Sequence, residues 1–155
     1  MARVRLWVEL LIPDTTATTT IHALRRMYGA RVSKLRRRDY YEFEVSGDAD
    51  SFCDRIKKVD VLVNANKHMA TTMKDDEKPE GKLGEEDEVC VLVQERGENA
   101  TGLMSTLRER LGFSEIKSMR RGVFWCIGVG GDRCLADEIA RKLLHNRHYQ
   151  EYTII

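Results

Sequence analysis

The chain has 155 residues, of which 42% are apolar and 33% are charged, and its net charge is +1. This composition favours a globular fold over disorder, and the balanced charge gives no overall field toward nucleic acid or an anionic membrane. No apolar run approaches the roughly 20 residues of a membrane-spanning helix and no signal peptide is recognisable, so we expect a cytoplasmic protein.

The first elements predicted are a strand and a helix. Apolar residues alternate with other residues at Val4, Leu6, Val8 and Leu10, which indicates a strand with one buried face. The following helix has candidate N-caps among residues 14–20 and a stop at Gly29, and its apolar face is formed by Ile21, Leu24, Met27 and Tyr28.

A hairpin is predicted next. Its two short strands are Val32–Arg37 and Tyr40–Val45, with Arg38-Asp39 at the turn. A second helix is expected after Gly47-Asp48. Residues 67–72 are a weaker candidate for a closing strand, because they contain few apolar side chains.

The charged stretch from Thr71 to Asp87 contains one proline and two glycines and is nearly devoid of apolar residues, so we expect a surface linker. It divides the chain into a first unit at residues 1–70, a linker at 71–86 and a second unit at 87–155.

The second unit repeats the first. Residues 32–48 align without gaps with residues 116–132, and residues 20–29 align with residues 103–112. The repeat predicts a first strand around Val89–Val93, a hairpin turn at Arg121-Gly122, a helix after Asp132 and a last strand at Tyr149–Ile155. We interpret this similarity as an internal duplication.

The predicted fold class is α+β, with two tandem ferredoxin-like β-α-β-β-α-β units. Helices on one side of each antiparallel sheet would leave its other face open. We expect the two units to pair through these faces as an internal pseudo-dimer.

Residues suited to catalysis or metal binding do not form a recognisable set. The four cysteines, Cys53, Cys90, Cys126 and Cys134, are interpreted as buried reduced thiols. His145 and His148 have a spacing that suits a metal, but no third ligand lies near them in the sequence, so no metal site is predicted.

Arginines and aromatic residues recur together in both predicted hairpins. Single-stranded nucleic acid is one possible target of such residues, but the balanced charge favours a protein interface. The residues predicted to contact a partner are Arg36, Arg37, Tyr40, Arg120, Arg121 and Trp125.

Three motifs resemble those of the small subunit of phosphoribosylformylglycinamidine synthase, the PurS family. The first is the helix from Ile21-His22-Ala23-Leu24 to Gly29, and the second is the predicted hairpin with Tyr40, Glu42 and Phe43. The third is Leu143-Leu144-His145-Asn146 followed by Glu151-Tyr152. The chain departs from the family before its first helix, where Pro13-Asp14-Thr15-Thr16 stands in place of Asp-Pro-x-Gly, and at the hairpin Gly-Lys, which is Arg38-Asp39 or Gly122-Val123 here.

The resemblance implies a covalent version of a homodimer, since family members are about half this length, fold as β-α-β-β-α-β units and pair as homodimers. It also implies a non-catalytic bridging subunit that links the synthetase and glutaminase subunits of a glutamine-dependent, ATP-using ligase in purine biosynthesis. The complex would use ATP and Mg²⁺, while this chain itself would bind no cofactor and no nucleic acid. The chain would be a monomeric pseudo-dimer or a homodimer.

A second hypothesis is a tandem regulatory domain of the ACT type that binds a small metabolite between the units, near Gly29 and Gly112. Thermal stabilisation by an amino acid or nucleotide would favour this hypothesis.

Overall fold

The computed structural model describes residues 1–64, 66–74, 84–97 and 100–155. In this part of the chain there are six strands and four α-helices. In chain order they are β1 (Ala2–Leu10), α1 (Thr15–Tyr28), β2 (Lys34–Val45), α2 (Ala49–Ile56), β3 (His68–Lys74), β4 (Glu88–Glu95), α3 (Thr101–Arg110), β5 (Ile116–Gly128), α4 (Arg133–Ile139) and β6 (Gln150–Ile154). None of the described helices has the length and apolar character needed to cross a membrane.

The strands form one antiparallel sheet in the order β3-β1-β2-β5-β4-β6. The fold is therefore α+β. The order is symmetrical about the junction of β2 and β5, with three strands from each half of the chain on either side. In the ungapped alignment, Asp39 is equivalent to Val123, and these two residues also face each other across the junction. A local two-fold axis therefore passes through this pair.

The two predicted hairpins are wrong, because β2 and β5 each run as one long strand through the predicted turn. Arg38 and Asp39 lie within β2, where they pair with both β1 and β5. Gly122 lies within β5, where an added Cβ would be 2.5 Å from the Val93 carbonyl oxygen. Because Gly122 has no side chain, β4 can approach β5 closely at this position. The glycine is not part of a turn. Each half consequently has the order β-α-β-α-β in place of β-α-β-β-α-β.

Several other predictions are confirmed. β1, the closing strands β3 and β6 and all four helices are present at the predicted places. Asp14 caps α1 by accepting hydrogen bonds from the backbone N–H groups of Thr16 and Ala17. Gly29 and its counterpart Gly112 follow α1 and α3 with φ of 60° and 80°, a conformation that favours glycine.

The two halves join edge to edge through β2 and β5, so the predicted pairing of sheet faces is wrong. Twelve residue pairs connect these two strands from Lys34–Gly128 to Val45–Ile116. The physical reason is the length of β2 and β5, which gives each half a long unpaired edge that the other half completes.

The helices pack on one face of the sheet in two clusters, and each cluster mixes the halves. Leu24 of α1 packs with β4, β5 and α4, whereas Leu107 of α3 packs with β1, β2 and α2. Both leucines are fully buried. Each half therefore supplies one helix to a core that is built mostly by the other half.

The second face of the sheet carries no helix among the described residues. Its centre is a buried cluster of Trp7, Tyr40, Met73, Phe124 and Cys126. The Trp7 ring meets the rings of Tyr40 and Phe124 edge to face, at centroid distances of 5.5 and 5.9 Å. These contacts give the second face an aromatic centre.

The predicted linker is only partly described. Residues 71–74, assigned to it from the sequence, belong to β3, whose backbone pairing with β1 compensates for its polar composition. Residues 75–83 of the predicted linker lie outside the described residues.

Candidate interaction surfaces

The predicted interface residues lie on β2 and β5 and divide between the two faces of the sheet. Arg36 and Arg120 are equivalent in the alignment and lie on the second face, whereas Arg37 and Arg121 are equivalent and lie on the helix-covered face. Alternation along the two strands produces this division. The sequence therefore supplies two pseudo-symmetric arginine pairs, one for each face.

Arg36 forms a two-pronged ion pair with Glu88. Its Nε and Nη2 lie 3.0 and 2.6 Å from the two carboxylate oxygens, and the Glu88 side chain is fully buried. Burial by itself raises the pKa of Glu88, but hydrogen bonds from Arg36 and from the Glu85 backbone N–H outweigh it. The pKa of Glu88 lies below its ordinary value as a result, and the pair fixes the start of β4 to β2.

Arg37 contacts the N-cap of α1. Its Nε lies 3.0 Å from Oδ2 of Asp14, while Oδ1 of the same carboxylate accepts the backbone hydrogen bonds of the cap. Partial burial acts to raise the pKa of Asp14, and these hydrogen bonds lower it below the ordinary value. Arg37 therefore positions α1 over the sheet.

Arg120 joins β5 to the edge of the sheet. Its Nη2 donates to the Glu95 carbonyl oxygen and to Oε1 of Glu151, both at 2.9 Å. About a third of the side chain remains exposed. This residue combines a structural contact with a surface that a partner can reach.

Tyr40 and Trp125 are buried on opposite faces of the sheet, at 3% and 7% exposure. Tyr40 belongs to the aromatic centre of the second face, and Trp125 packs beneath α1 and α4. Burial leaves almost none of either side chain for contact with a partner. Their aromatic character reflects core packing at the junction.

Arg121 is exposed and lies at a groove on the helix-covered face. The groove has a volume of about 310 Å³ and crosses β2, β5, β4 and β6 near the local two-fold axis. Its other lining residues are Asp39, Tyr41, Val93, Glu95, Gly122, Val123 and Gln150. We call this the central groove.

Charges of both signs surround Tyr41 in the central groove. Burial raises the pKa of the phenol, Asp39 raises it further, and Arg121 opposes the shift. A guanidinium, carboxylates and an amide within one open groove are suited to binding polar groups of either sign.

The histidine pair lies in a basic region after α4. An open groove of about 640 Å³ is lined there by Arg141, Lys142, His145, Asn146, Arg147, His148 and Tyr152. Nδ1 of His145 lies 2.8 Å from the Ala140 carbonyl oxygen, and its ring meets Tyr152 edge to face at 4.7 Å. Within the described residues, no group of three or more His, Cys, Asp or Glu side chains is placed to hold a metal ion.

Two features of these surfaces were not anticipated from the sequence. One is the central groove, which depends on strand pairing between the halves. The other is the proximity of Cys90 and Cys126, whose sulfur atoms lie 3.5 Å apart although 36 positions separate them in the chain. The signal in the sequence was only that Cys90 and Cys126 both lie in predicted strands of the second unit. The prediction of buried cysteines is confirmed for Cys53 and Cys126, Cys90 is half-buried, and Cys134 is exposed.

Comparison with known proteins gives no match from which a function could be assigned. No protein family model matches the chain. A search of curated proteins finds no significant match either.

Proposed function

We propose that the chain consists of two diverged copies of one unit that form an internal pseudo-dimer. Each unit is a variant of the ferredoxin-like arrangement in which one long strand takes the place of the central hairpin. The symmetrical strand order and the pairing of the equivalent residues Asp39 and Val123 support this proposal. Matching positions also have matching roles, since Asp48 and Asp132 cap α2 and α4.

We further propose that this pseudo-dimer is a non-catalytic bridging subunit of a phosphoribosylformylglycinamidine synthase complex. It would connect the synthetase and glutaminase subunits in the cytoplasm and leave ATP and Mg²⁺ to its partners. The observation that carries the proposal is the continuous sheet across β2 and β5. It makes two similar but chemically different units into one body, which is the form that the PurS resemblance implies for a duplicated chain.

The central groove is the docking surface that the geometry favours for a partner subunit. It lies at the junction of the units, and Arg121 is the predicted interface residue whose side chain is most accessible. Arginines of this kind often contribute strongly to protein binding, because the guanidinium makes several directed hydrogen bonds. The groove also presents Asp39 and Glu95 to basic groups of the partner.

The test is a binding titration with purified synthetase and glutaminase subunits in the presence of glutamine and nucleotide. We expect the wild-type chain to bind and Arg121→Ala to weaken binding roughly tenfold or more. Lys117→Ala is the matched control, because Lys117 is exposed on the same strand but does not line the groove. Absence of binding by the wild type would refute the subunit proposal, and equal losses in both variants would refute the central groove as the docking surface.

A metabolite-binding regulatory domain is the second candidate. The size of the central groove and its place between the units favour it, since about 310 Å³ suits a small ligand. The groove is not lined by Gly29 or Gly112, where the sequence placed such a site. A rise in melting temperature with an amino acid or nucleotide that Arg121→Ala abolishes would support this function over the bridging role.

A further inference from the structure

Cys90 and Cys126 are directly opposite each other on β4 and β5. Their sulfur atoms are 3.5 Å apart, and neither cysteine is in a disulfide. The two side chains lie on the second face of the sheet, where Cys126 belongs to the aromatic cluster and Cys90 packs against it. The two other cysteines, Cys53 and Cys134, lie in α2 and α4.

The backbone between the two cysteines favours a disulfide. The Cys90 carbonyl oxygen accepts a hydrogen bond from Ile155 N at 2.9 Å, so the peptide groups of Cys90 point toward β6 and away from β5. Cys90 and Cys126 therefore form a non-hydrogen-bonded pair, the kind in which opposite Cα atoms are closest, at about 4.5 Å. That separation falls within the roughly 4.4–6.8 Å range of disulfides.

The two thiols have different environments. Cys126 is 1% exposed and Cys90 is half-buried. The hydrogen bond between them lowers the pKa of Cys90, burial and Glu88 act to raise it, and Arg38 and Arg36 lower it, so that the pKa lies below its ordinary value. The same hydrogen bond, together with burial, raises the pKa of Cys126. Cys90 is thus suited to attack first and Cys126 to complete the bond.

We propose that Cys90 and Cys126 form a reversible disulfide by exchange with a low-molecular-weight disulfide such as oxidised glutathione. The Cys90 thiolate attacks one glutathione sulfur, a mixed disulfide forms, and the first glutathione leaves as a thiolate. Cys126 loses its proton to that thiolate or to water and attacks Sγ of Cys90, and the second glutathione leaves. Two protein thiols are oxidised to one disulfide, and one glutathione disulfide is reduced to two thiols.

The bond would link β4 covalently to β5 beside Gly84. The backbone there lies against the sulfur, since an added Cβ on Gly84 would be 2.6 Å from Sγ of Cys90. Residues 84–87 lead into β4, so the oxidation state of the pair would affect the packing of this connection. This modification is independent of whether the chain is a bridging subunit.

The experiment treats the full-length native protein with oxidised glutathione, alkylates the remaining thiols and maps tryptic peptides without reduction. Each cysteine lies on a different tryptic peptide, with Cys90 in residues 83–96 and Cys126 in residues 122–133. We expect these two peptides to be linked to each other, their two thiols to be lost to alkylation while any glutathione on the exposed Cys134 stays on its own peptide, and dithiothreitol to reverse the linkage. Four remaining thiols or a different linkage would overturn the proposal.

Two variants separate the roles of the pair. Cys126→Ser should stop at the mixed disulfide, with glutathione retained on the peptide of Cys90, while the control Cys53→Ser should form the same linkage as the wild type. Cys90→Ser provides a second test if Cys126→Ser fails to fold, and it should leave Cys126 as a free thiol. Glutathione on Cys126 in the Cys90→Ser variant, or none on Cys90 in Cys126→Ser, would contradict the assigned order of attack.

Discussion

At the scale of single residues, the junction depends on charged groups that are satisfied within the chain. Arg36 and Glu88 show the principle, because the carboxylate is fully buried and both of its oxygens contact the guanidinium. A buried carboxylate without its cation would be strongly destabilising. Arg36 therefore has a structural role whether or not a partner also contacts it.

The lowered pKa of Glu88 predicts a dependence of stability on pH. Because its folded-state pKa lies below the ordinary value of 4.5, the carboxylate contributes stability above pH 4.5 that is lost as the pH falls through the folded-state pKa. We expect Glu88→Gln to reduce the free energy of unfolding by roughly 1–3 kcal/mol at pH 7 and by less at pH 3. Denaturant unfolding at the two pH values measures this difference.

Glu86→Gln is the matched control, because Glu86 is an exposed residue two positions away. It should change the free energy of unfolding by little at either pH. A Glu88→Gln effect that is the same at pH 3 and pH 7 would contradict the pKa argument.

At the scale of elements, the long central strands replace the two hairpins expected from the sequence. Adjacent charged residues or an Arg-Gly pair inside an apolar pattern are typical of turns, and this led to the wrong prediction. The signal that overrides it is tertiary, since β2 is paired on both sides along most of its length. Position 122 needs a glycine because β4 lies too close for a side chain, and not because the chain turns there.

Replacement of Gly122 tests this interpretation. An added Cβ would lie 2.5 Å from the Val93 oxygen and 2.8 Å from Cγ of Gln94, so β4 and β5 would have to move apart. We expect Gly122→Ala to destabilise the fold by about 1–3 kcal/mol in denaturant unfolding. Gly102→Ala in α3, where the Cβ would meet no atom within 4 Å, should instead be neutral or stabilising by up to about 1 kcal/mol. A neutral Gly122→Ala would indicate that the strands are not so closely packed.

At the scale of the whole molecule, the shared cores make the two halves interdependent. α1 covers the sheet of the second half, and α3 covers the sheet of the first. Separation of the halves would expose both Leu24 and Leu107, each fully buried in the intact chain. We therefore expect the two predicted units to behave as one unit in stability.

Single cooperative unfolding is the expected consequence. The chain has two tryptophans, Trp7 in the first half and Trp125 in the second, so variants with one of them replaced by Phe report on each half. We expect Leu107→Ala to lower the free energy of unfolding by roughly 2–5 kcal/mol in both single-tryptophan variants. The variant that keeps Trp125 should report this loss as well, although the cluster that contains Leu107 does not include Trp125. The measurement is denaturant unfolding followed by tryptophan fluorescence. Leu107→Ala should shift the unfolding midpoint equally in the two variants. If the shift reported by Trp7 differs from the shift reported by Trp125, the halves unfold separately.

Local patterns were enough to predict the outer parts of the fold. Alternation identified β1 and β4, and the capping residues Asp14, Asp48 and Asp132 correctly indicated helix starts. The alignment of the two halves makes Asp39 equivalent to Val123, and the structure places these two residues opposite each other. Edge-to-edge joining, the exchange of helices and the central groove depend on contacts between distant residues, which no local pattern encodes. For the same reason, the sequence did not distinguish the roles of Arg37 and Arg121, which occupy equivalent positions in the repeat. Arg37 forms an ion pair with Asp14, whereas Arg121 lines the central groove.

The identity of the two residues on the local two-fold axis has an evolutionary consequence. In a symmetrical homodimer, a residue at this position would face its own copy, and two aspartates there would repel each other across the strands. In the duplication that we propose, joining the two copies in one chain would remove that constraint, and here Asp39 faces Val123. A single chain can thus carry a charge at one of the two central positions and make the two directions along the junction chemically distinguishable, which two identical copies could not do.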